Sequence, residues 1–296
     1  MQPRTRGEHA SAGSLLAWGR DRLRASPAID HWHSAIARED AEDLLALALG
    51  VAVEELERDG TVTPRVERRF RESVERRARG EPVALIRGSV DFAGLRLRVR
   101  PGVFVPRGST ELLAQQAVAA LRRRRAPLLV DVACGAAPVA CAVAAALPAA
   151  EVWGVDIDPA AVRLARANAR LHHLANLHLR VSDLLSALPS RLRGEVAAFT
   201  LHPPYVGREE IRGLPREIRR YEPRHTLTDG SADGLDLVRA LLGEAPGWLR
   251  RGGSVLIEVA PYLSRSVQSL MRRGGFEVGV AADPGGLTRV IRGRFG

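Results

Sequence analysis

The segment Leu201-His202-Pro203-Pro204-Tyr205 carries side chains that could act directly on a substrate. It follows the apolar run 196–201, whose composition is that of a buried strand. Proline lacks an N–H donor and fixes φ near about −65°, so the strand has to end here and the following loop has to be stiff. The loop therefore holds an imidazole and a phenol ring in fixed positions beyond the carboxyl end of a strand, where open α/β sheets bind ligands.

His202 is the residue of this segment that can exchange a proton near neutral pH. A neutral imidazole offers one hydrogen-bond donor and one acceptor, and it can serve as a general base. A hydroxyl or a carboxylic acid that acts as a nucleophile uses such a base more than an amide does. The alternative is a neutral ring that only sets the positions of its neighbours.

Two acidic residues lie at the ends of two predicted strands that are consecutive in the chain. Asp131 lies near the end of the apolar strand 128–132 and precedes a loop of small residues, 133–137. Asp156 ends the next predicted strand, 152–155. Small residues let a ligand approach the backbone, and an acid after the second strand accepts hydrogen bonds from ribose hydroxyls. The order of strand, small-residue loop, helix, strand and acid therefore predicts a nucleotide-binding βαβ unit.

The elements that position these residues alternate between strands and helices. This alternation predicts an α/β domain with a mostly parallel, doubly wound sheet, and two antiparallel strands at its end. The predicted helices are 112–124, 138–147 and 159–171, and the further predicted strands are 177–181, 196–201, 254–259, 276–281 and 287–292.

The first part of the chain has a different pattern. Residues 1–80 are predicted to be helical: Gly50 ends one amphipathic helix, and Thr63-Pro64 are the N-cap and first residue of the next. Strands at 85–92 and 95–99 on either side of Ala93-Gly94 are predicted to form a hairpin. We therefore predict a helical substrate-recognition domain over 1–82, a β-hairpin linker over 83–107 and a catalytic domain over 108–296.

The overall composition is that of a globular protein. Of the 296 residues, 46% are hydrophobic and 26% charged, and no apolar run approaches the ~20 residues of a membrane span. Residues 1–20 lack the apolar core of a secretion signal, so the sequence predicts a soluble, cytoplasmic protein.

Charge and cysteine content argue against two further classes of function. The net charge is +10, but all 44 basic residues are arginine, which is typical of a GC-rich genome rather than of selection for phosphate contacts. We therefore do not expect nucleic acid to be the main substrate. Cys134 and Cys141 have no further cysteine to complete a metal set, so reduced thiols and no metal are predicted.

Several motifs in collinear order resemble the HemK/PrmC family of protein-glutamine N5-methyltransferases that act on peptide-chain release factors. The likeness covers roughly residues 40–296. The matching stretches are Arg79-Gly80-Glu81-Pro82 with Gly88 and Phe92, Val103 to Glu111, Val155 to Pro159, Ala165-Arg166 with Asn168, His202 to Tyr205, Tyr221-Glu222-Pro223, Asp229-Gly230 with Asp233 to Asp236, Gly252-Gly253 with Glu258, and Arg289 to Arg294.

The resemblance implies the fold of a class I methyltransferase that uses S-adenosylmethionine (SAM), and it implies roles for particular residues. The implied catalytic residues are His202, Pro203 and Tyr205. The implied cofactor-binding residues are Asp131, Ala133, Cys134, Gly135, Ala137, Asp156, Ile157, Asp183, Leu184 and His202. The implied substrate-binding residues are Phe104, Pro106, Arg107, Thr110 and Pro204.

The chain departs from the family pattern at two places in this set. The family loop Asp-x-Gly-x-Gly-x-Gly keeps one of its three glycines here, because Ala133 and Ala137 replace the other two. His202 replaces the Asn of the family's Asn-Pro-Pro-Tyr. In the family, that Asn and the carbonyl of the first proline each accept a hydrogen bond from the amide of the substrate, and a neutral imidazole cannot copy this pattern.

These observations leave three functions open. The first is a methyltransferase of HemK/PrmC ancestry with a diverged acceptor site, acting on a small molecule or a protein side chain. The second is the ancestral methylation of a release-factor glutamine. The third is a module that binds SAM without transferring its methyl group and works through a partner. His202 separates the first two, and the altered glycine loop separates both from the third.

Overall fold

The computed structural model describes residues 10–29 and 35–296. The described residues separate into two compact units. One contains the chain up to Gly88 together with Leu214–Tyr221, and the other contains Ser89–Gly213 and Glu222–Gly296. The predicted helical domain over 1–82 includes residues 1–9 and 30–34, which lie outside the described part. Among the described residues, no helix has both the length and the apolarity to cross a bilayer.

The first unit is helical and has its own apolar core. Its helices are α1 (Ala12–Arg24), α2 (Ile36–Leu49), α3 (Pro64–Ala78) and α4 (Val83–Arg87), and they pack around buried side chains that include Leu44, Phe70 and Val74. Gly50 ends α2 with a φ of 79°, and the Thr63 hydroxyl accepts a hydrogen bond from the Val66 N–H at the start of α3. Both predicted helix boundaries are confirmed.

The prediction of a strand beginning at residue 85 is wrong. Residues Val83–Arg87 form the short helix α4, which starts after Pro82 and ends at Gly88 with a φ of 74°. Val83 and Ile86, one helical turn apart, pack against the helical core, and this packing outweighs the strand propensity of the sequence. The helix therefore belongs to the first unit, and the hairpin β1 (Ser89–Phe92) and β2 (Leu95–Arg98) belongs to the second.

The hairpin turn has the predicted residues in the predicted place. Ala93 and Gly94 both have positive φ, 48° and 78°, as a two-residue turn that matches the strand twist requires.

The second unit is built on a seven-stranded sheet in the order β5-β4-β3-β6-β7-β9-β8. The first five of these strands are parallel to one another. Strand β9 runs antiparallel to both of its neighbours, β7 and β8, so the last two strands form the predicted antiparallel pair. The strands are β3 (Leu128–Val132), β4 (Glu151–Asp156), β5 (Leu177–Val181), β6 (Val196–Leu201), β7 (Leu249–Val259), β8 (Glu277–Ala282) and β9 (Arg289–Arg294).

Helices cover both faces of this sheet. Helices α5 (Glu111–Leu121), α6 (Pro138–Ala146) and α7 (Pro159–Leu171) contribute to one buried cluster, whereas α9 (Asp236–Glu244) and α10 (Ser264–Arg273) contribute to the other. The doubly wound architecture is therefore confirmed. It brings the carboxyl ends of β3, β4 and β6 to one edge of the sheet.

Several predicted boundaries in this unit are corrected. Strand β8 lies at Glu277–Ala282 rather than 276–281, and β9 lies at Arg289–Arg294 rather than 287–292. Helix α5 ends at Leu121 rather than at 124; Arg122 and Arg123 are exposed, and Arg124 donates to the Gly252 carbonyl at 2.8 Å. Strand β7 begins at Leu249 rather than at 254, because Leu249 pairs with Val196 of β6 across an irregularity in register. Gly252, with a φ of 68°, lies inside the longer strand, and the glycine pair 252–253 is a pattern more typical of a turn than of a strand.

A buried ion-pair network joins the segment Leu214–Tyr221, which contains α8 (Arg216–Tyr221), to the helical unit. The Arg77 guanidinium of α3 donates to Asp40 of α2 and to Glu217 of α8, each at 2.7 Å. The Arg77 side chain is only 6% exposed. Because both carboxylates face one buried cation, removal of that cation would leave two acids close together in a poorly solvated site.

We expect Arg77→Ala to destabilise the helical unit by about 3–5 kcal/mol, the usual effect of breaking a buried ion pair by removing one partner. Amide hydrogen exchange in α3 measures this loss as a faster opening of the helix. Arg69→Ala, at an exposed position of the same helix, is the control and should change the exchange rate little. Equal exchange in the two variants would show that the network does not stabilise the unit.

Candidate functional site

A cavity opens in the second unit at the carboxyl ends of β3, β4 and β6. It is formed by the segments 103–110, 131–139, 155–161, 182–184, 202–204 and 225–226, with Leu237. The predicted site residues that line it are Phe104, Pro106, Arg107, Thr110, Asp131, Ala133, Cys134, Gly135, Asp156, Ile157, Asp183, Leu184, His202, Pro203 and Pro204. The other two predicted residues, Ala137 and Tyr205, lie immediately behind this lining.

The loop after β3 follows a backbone path that favours glycine. Ala133, Gly135 and Ala137 have φ values of 53°, 57° and 61°. These are the three positions at which the family pattern has glycine, so the two alanines adopt left-handed conformations that L side chains normally avoid. The Cys134 N–H donates to the Val155 carbonyl, which holds the loop beside the end of β4.

Asp156 supports this loop from the end of β4. One carboxylate oxygen accepts a hydrogen bond from the Gly135 N–H at 2.8 Å, and the other accepts one from the Asp158 N–H at 2.9 Å. A carboxylate has about four acceptor positions, so two remain for ribose hydroxyls. Burial raises the pKa of Asp156, although the two backbone donors oppose this effect.

Asp131 lies deeper and is enclosed by the sheet. The Thr200 hydroxyl of β6 donates to it at 2.7 Å, and the Ala140 N–H of α6 donates at 3.2 Å. Burial raises the pKa of Asp131 to about 7 despite these hydrogen bonds. A nearby cationic ligand would favour the ionised form, so Asp131 is suited to a positively charged group in this part of the cavity.

The residues after β4 and β5 give the cavity an apolar wall suited to an aromatic ring. Ile157 is 65% exposed although it is a large apolar residue, and it lies on the lining with Leu184. Leu184 has a φ of 44°, and the Ser182 hydroxyl donates to its carbonyl at 2.8 Å. With Asp156 for the ribose and Asp183 for a polar edge, the residues present fit a nucleoside such as that of SAM.

The two cysteines are buried thiols. Burial raises the pKa of Cys141 to about 12 and that of Cys134 well above its usual value, so both remain protonated near neutral pH. Cys134 contributes to the cavity as a small apolar surface.

Three rings pack together beyond the carboxyl end of β6, and two of them, Phe104 and His202, line the cavity. The imidazole of His202 packs edge-on against Phe104, with centroids 5.7 Å apart, and stacks on Tyr205 at 5.8 Å. The His202 side chain is 19% exposed. Burial raises the pKa of the Tyr205 hydroxyl, and the carboxylate of Glu258 adds to this effect. The ring of His202 is therefore held from two sides while it faces the cavity.

The segment that carries Phe104 is fixed by a buried carboxylate that the sequence analysis did not include in the site. Glu222 accepts hydrogen bonds from the Val105 N–H at 3.3 Å and from the Arg107 guanidinium at 2.7 Å. The Arg107 guanidinium also lies 4.7 Å from the centre of the Phe104 ring. This arrangement gives a structural reason for the Glu-Pro motif at 222–223.

Three further charged or titratable residues near the cavity were not among the predicted site residues. Glu258 has a carboxylate oxygen 3.8 Å from Nδ1 of His202, and His225 lies on the rim 3.6 Å from the carboxylate of Asp158. Glu258 and Asp158 belong to the motifs of the family resemblance, which was the available sequence signal. His225 follows Pro223 and had no signal of its own.

The conformation of Gly234 gives a structural reason for the glycine in the motif at 233–236. It has a φ of 68°, and a Cβ at this position would overlap the backbone carbonyl of Tyr205. The Tyr205 backbone also pairs with Thr228 in an isolated bridge. Only glycine fits where this loop crosses behind the His202–Tyr205 segment.

Comparison with known families matches both parts of the chain. Residues 14–88 match the family described as PrmC N-terminal domain, and residues 94–210 match the Methyltransferase small domain. The chain is 35% identical to a release factor glutamine methyltransferase of Geobacter sulfurreducens, over 88% of this chain and 90% of the relative. It is 33% identical to one of Rhodopirellula baltica, over 94% of each.

A solved structure supports the fold. The 16S rRNA N2 G1207 methyltransferase of T. thermophilus, in complex with AdoMet and guanosine, superposes with a TM-score of 0.53 at 22% identity. The match covers 70% of this chain and 50% of that one. The predicted class I methyltransferase fold is confirmed.

Replacement of the two left-handed alanines tests the strain in the loop after β3. We expect Ala133→Gly and Ala137→Gly each to raise the free energy of unfolding by about 0.5–1 kcal/mol, because relief of roughly 1–2 kcal/mol of left-handed strain outweighs the entropy cost of glycine. Urea denaturation measures the change. Ala142→Gly inside α6 is the control and should lower stability by about 1 kcal/mol. Loss of stability in all three variants would exclude strain at the two positions.

Replacement of Asp156 tests the nucleoside site. We expect Asp156→Ala to weaken binding of S-adenosylhomocysteine about tenfold or more, because hydrogen bonds to a charged group contribute ~1.5–3 kcal/mol. Isothermal calorimetry measures the Kd, and thermal unfolding without ligand shows whether the variant is folded. Glu151→Ala, at the opposite end of β4, is the control. An unchanged Kd in the Asp156 variant would place the nucleoside elsewhere.

Proposed function

Since the chain belongs to the HemK/PrmC family of SAM-dependent methyltransferases, we propose that it methylates an acceptor that gives up a proton to His202. The observation that carries this proposal is the imidazole of His202 on the lining of the cavity, next to the loop after β3. An imidazole accepts protons near neutral pH, which the carboxamide of the family's Asn does not.

The residues of the cavity divide the work. SAM supplies a methyl group on a positively charged sulfur. Asp156 binds the ribose, and the carboxylate of Asp131 favours the positive charge of the ligand. Phe104 and Tyr205 hold the imidazole of His202, and the backbone carbonyl of Pro203 is placed to accept a hydrogen bond from a second donor group of the acceptor.

In the proposed reaction, the methyl group passes directly from sulfur to the acceptor atom. The acceptor atom forms a bond to the methyl carbon while the carbon–sulfur bond breaks, and the electron pair of that bond stays on sulfur. The proton of the acceptor moves to the imidazole of His202, which later releases it to water. A hydroxyl group, on a small molecule or on a protein side chain, suits this chemistry, because it keeps its proton near neutral pH.

A second candidate function is methylation of a release-factor glutamine. The relatives with that name match at 33–35% identity over nearly their whole length, and the match includes the PrmC N-terminal domain. In this case His202 would act only as a spacer for the acceptor. All residues that line the cavity belong to the sheet unit, so the cavity can be built without the helical unit. In either case we therefore propose that the helical unit has a different role, namely recognition of the acceptor.

His202→Asn separates the two functions. Both proteins are incubated with methyl-tritiated SAM and an extract of the source organism, which supplies the proton-bearing acceptor. If His202 is a base, the variant should transfer the label ~10² to 10⁴-fold more slowly than the wild type. The wild-type rate should depend on pH, and this dependence should be absent from the variant. The labelled product is tested by mild alkali, which cleaves methyl esters, and by mass spectrometry.

The same two proteins are assayed on a purified bacterial release factor. We expect the wild type to methylate its glutamine no faster than His202→Asn does. Efficient methylation of this glutamine by the wild type, with a rate that does not change between about pH 6 and 8, would contradict the base and favour the second function.

A further inference from the structure

We propose that Glu258 is a positioning residue that keeps the proton of neutral His202 on Nδ1 and so leaves Nε2 as the proton acceptor. This inference rests on the proposed function, and it adds a residue and a defined tautomer to it. A base is useful only if the nitrogen that faces the acceptor lacks a proton. The identity of the protonated nitrogen is set by the partner of the other one.

Glu258 is a buried carboxylate with one unsatisfied oxygen. It lies near the end of β7, and its side chain is 2% exposed. Oε1 accepts a hydrogen bond from the Thr110 hydroxyl at 3.1 Å, and the Thr288 hydroxyl lies at the same distance. Among the described residues, Oε2 has no hydrogen-bond partner. A buried carboxylate oxygen requires a donor, because leaving it unsatisfied is costly.

Nδ1 of His202 is the nitrogen that can supply this donor. It lies 3.8 Å from the Glu258 carboxylate, at Oε2. This distance is longer than a hydrogen bond, but it is short enough for a carboxylate to attract the dipole of an Nδ1–H group. A small rotation of either side chain would bring the two atoms into hydrogen-bond distance.

The Thr110 hydroxyl points to the same tautomer. Its oxygen lies 3.4 Å from Nδ1 of His202, but its one proton is donated to Oε1 of Glu258. It therefore presents a lone pair to Nδ1. In this arrangement both groups that face Nδ1 are acceptors, so a proton on Nδ1 meets two favourable partners, whereas a lone pair on Nδ1 would face the carboxylate of Glu258.

The remaining titratable groups around His202 do not compete for Nδ1. Tyr205 stacks on the face of the ring, and its phenol is kept neutral by burial and by Glu258. Arg107, beyond Phe104, has its charge matched by Glu222. Tyr262 donates its hydroxyl proton to Glu210 at 3.2 Å.

Glu258→Gln reverses the predicted tautomer. Thr110 needs an acceptor for its proton, so the Gln carbonyl takes the position of Oε1 and its amide NH2 takes the position of Oε2. The NH2 group then donates to Nδ1, and the proton of His202 moves to Nε2. The variant should retain its affinity for S-adenosylhomocysteine but lose ~10² to 10⁴-fold in transfer rate, as for His202→Asn.

The tautomer can be read without any reaction. In protein with ¹⁵N-labelled histidine, the protonated and unprotonated ring nitrogens have well-separated chemical shifts, and the His202 signals are assigned by their absence from His202→Asn. We expect Nδ1–H in the wild type at a pH above the imidazole titration and Nε2–H in Glu258→Gln. Glu244→Gln, at an exposed position of α9, is the control and should keep Nδ1–H.

Thr110→Val separates the roles of the two acceptors and remains informative if Glu258→Gln does not fold. It removes the hydroxyl and leaves Glu258 as the partner of Nδ1, so Nδ1–H should persist. Wild-type Nε2–H, or loss of Nδ1–H in Thr110→Val, would overturn the role of Glu258. Wild-type Nδ1–H together with an undiminished transfer rate in His202→Asn would instead overturn the proposed function and leave the positioning role intact.

Discussion

The need to satisfy a buried carboxylate organises the acceptor side of this site. Glu258 lies at the end of a central strand, where its charge is almost completely removed from water. The groups around it come from distant parts of the chain: Thr110 precedes α5, Thr288 precedes β9 and His202 follows β6. Because a buried charge is tolerated only with donors around it, these segments have to meet at the same edge of the sheet.

On the cofactor side, the constraint is backbone conformation rather than charge. The loop after β3 keeps left-handed geometry at three alternate positions although only one of them is glycine. The hydrogen bond from Gly135 to Asp156 and the one from Cys134 to Val155 both tie this loop to the end of β4. The shape of the cofactor site is therefore maintained by neighbouring strands, and the loss of two glycines costs stability more than shape.

The features that could be predicted from the sequence are those encoded locally. The bounds of Leu128–Val132, Pro159–Leu171 and Val196–Leu201 follow from apolar runs and from proline at helix starts, and the structure has the same bounds. The helix Val83–Arg87 was mistaken for a strand because its packing partners lie in other helices. For the same reason, the association of Leu214–Tyr221 with the helical unit had no local signal.

The candidate site likewise contains residues whose positions could be predicted from the sequence and contacts that could not. Asp156 and His202 stand directly after apolar strands, so their position in the cavity could be predicted. The contact between Thr110 and Glu258 spans 148 residues and that between Val105 and Glu222 spans 117, so neither appears in any sequence spacing. Such contacts arise from the closure of the fold, and they fix the segments on which the predicted residues stand.

The central claim is that the SAM cavity and the proton-accepting nitrogen of His202 form one site. A crystal structure of the protein with S-adenosylhomocysteine tests it most directly. We expect ribose hydroxyls on Asp156, the homocysteine sulfur on the His202 side of the cavity, and Nε2 facing the space beside that sulfur while Nδ1 contacts Glu258. A ligand bound with its sulfur away from His202, or an imidazole with Nε2 turned towards Glu258, would contradict it.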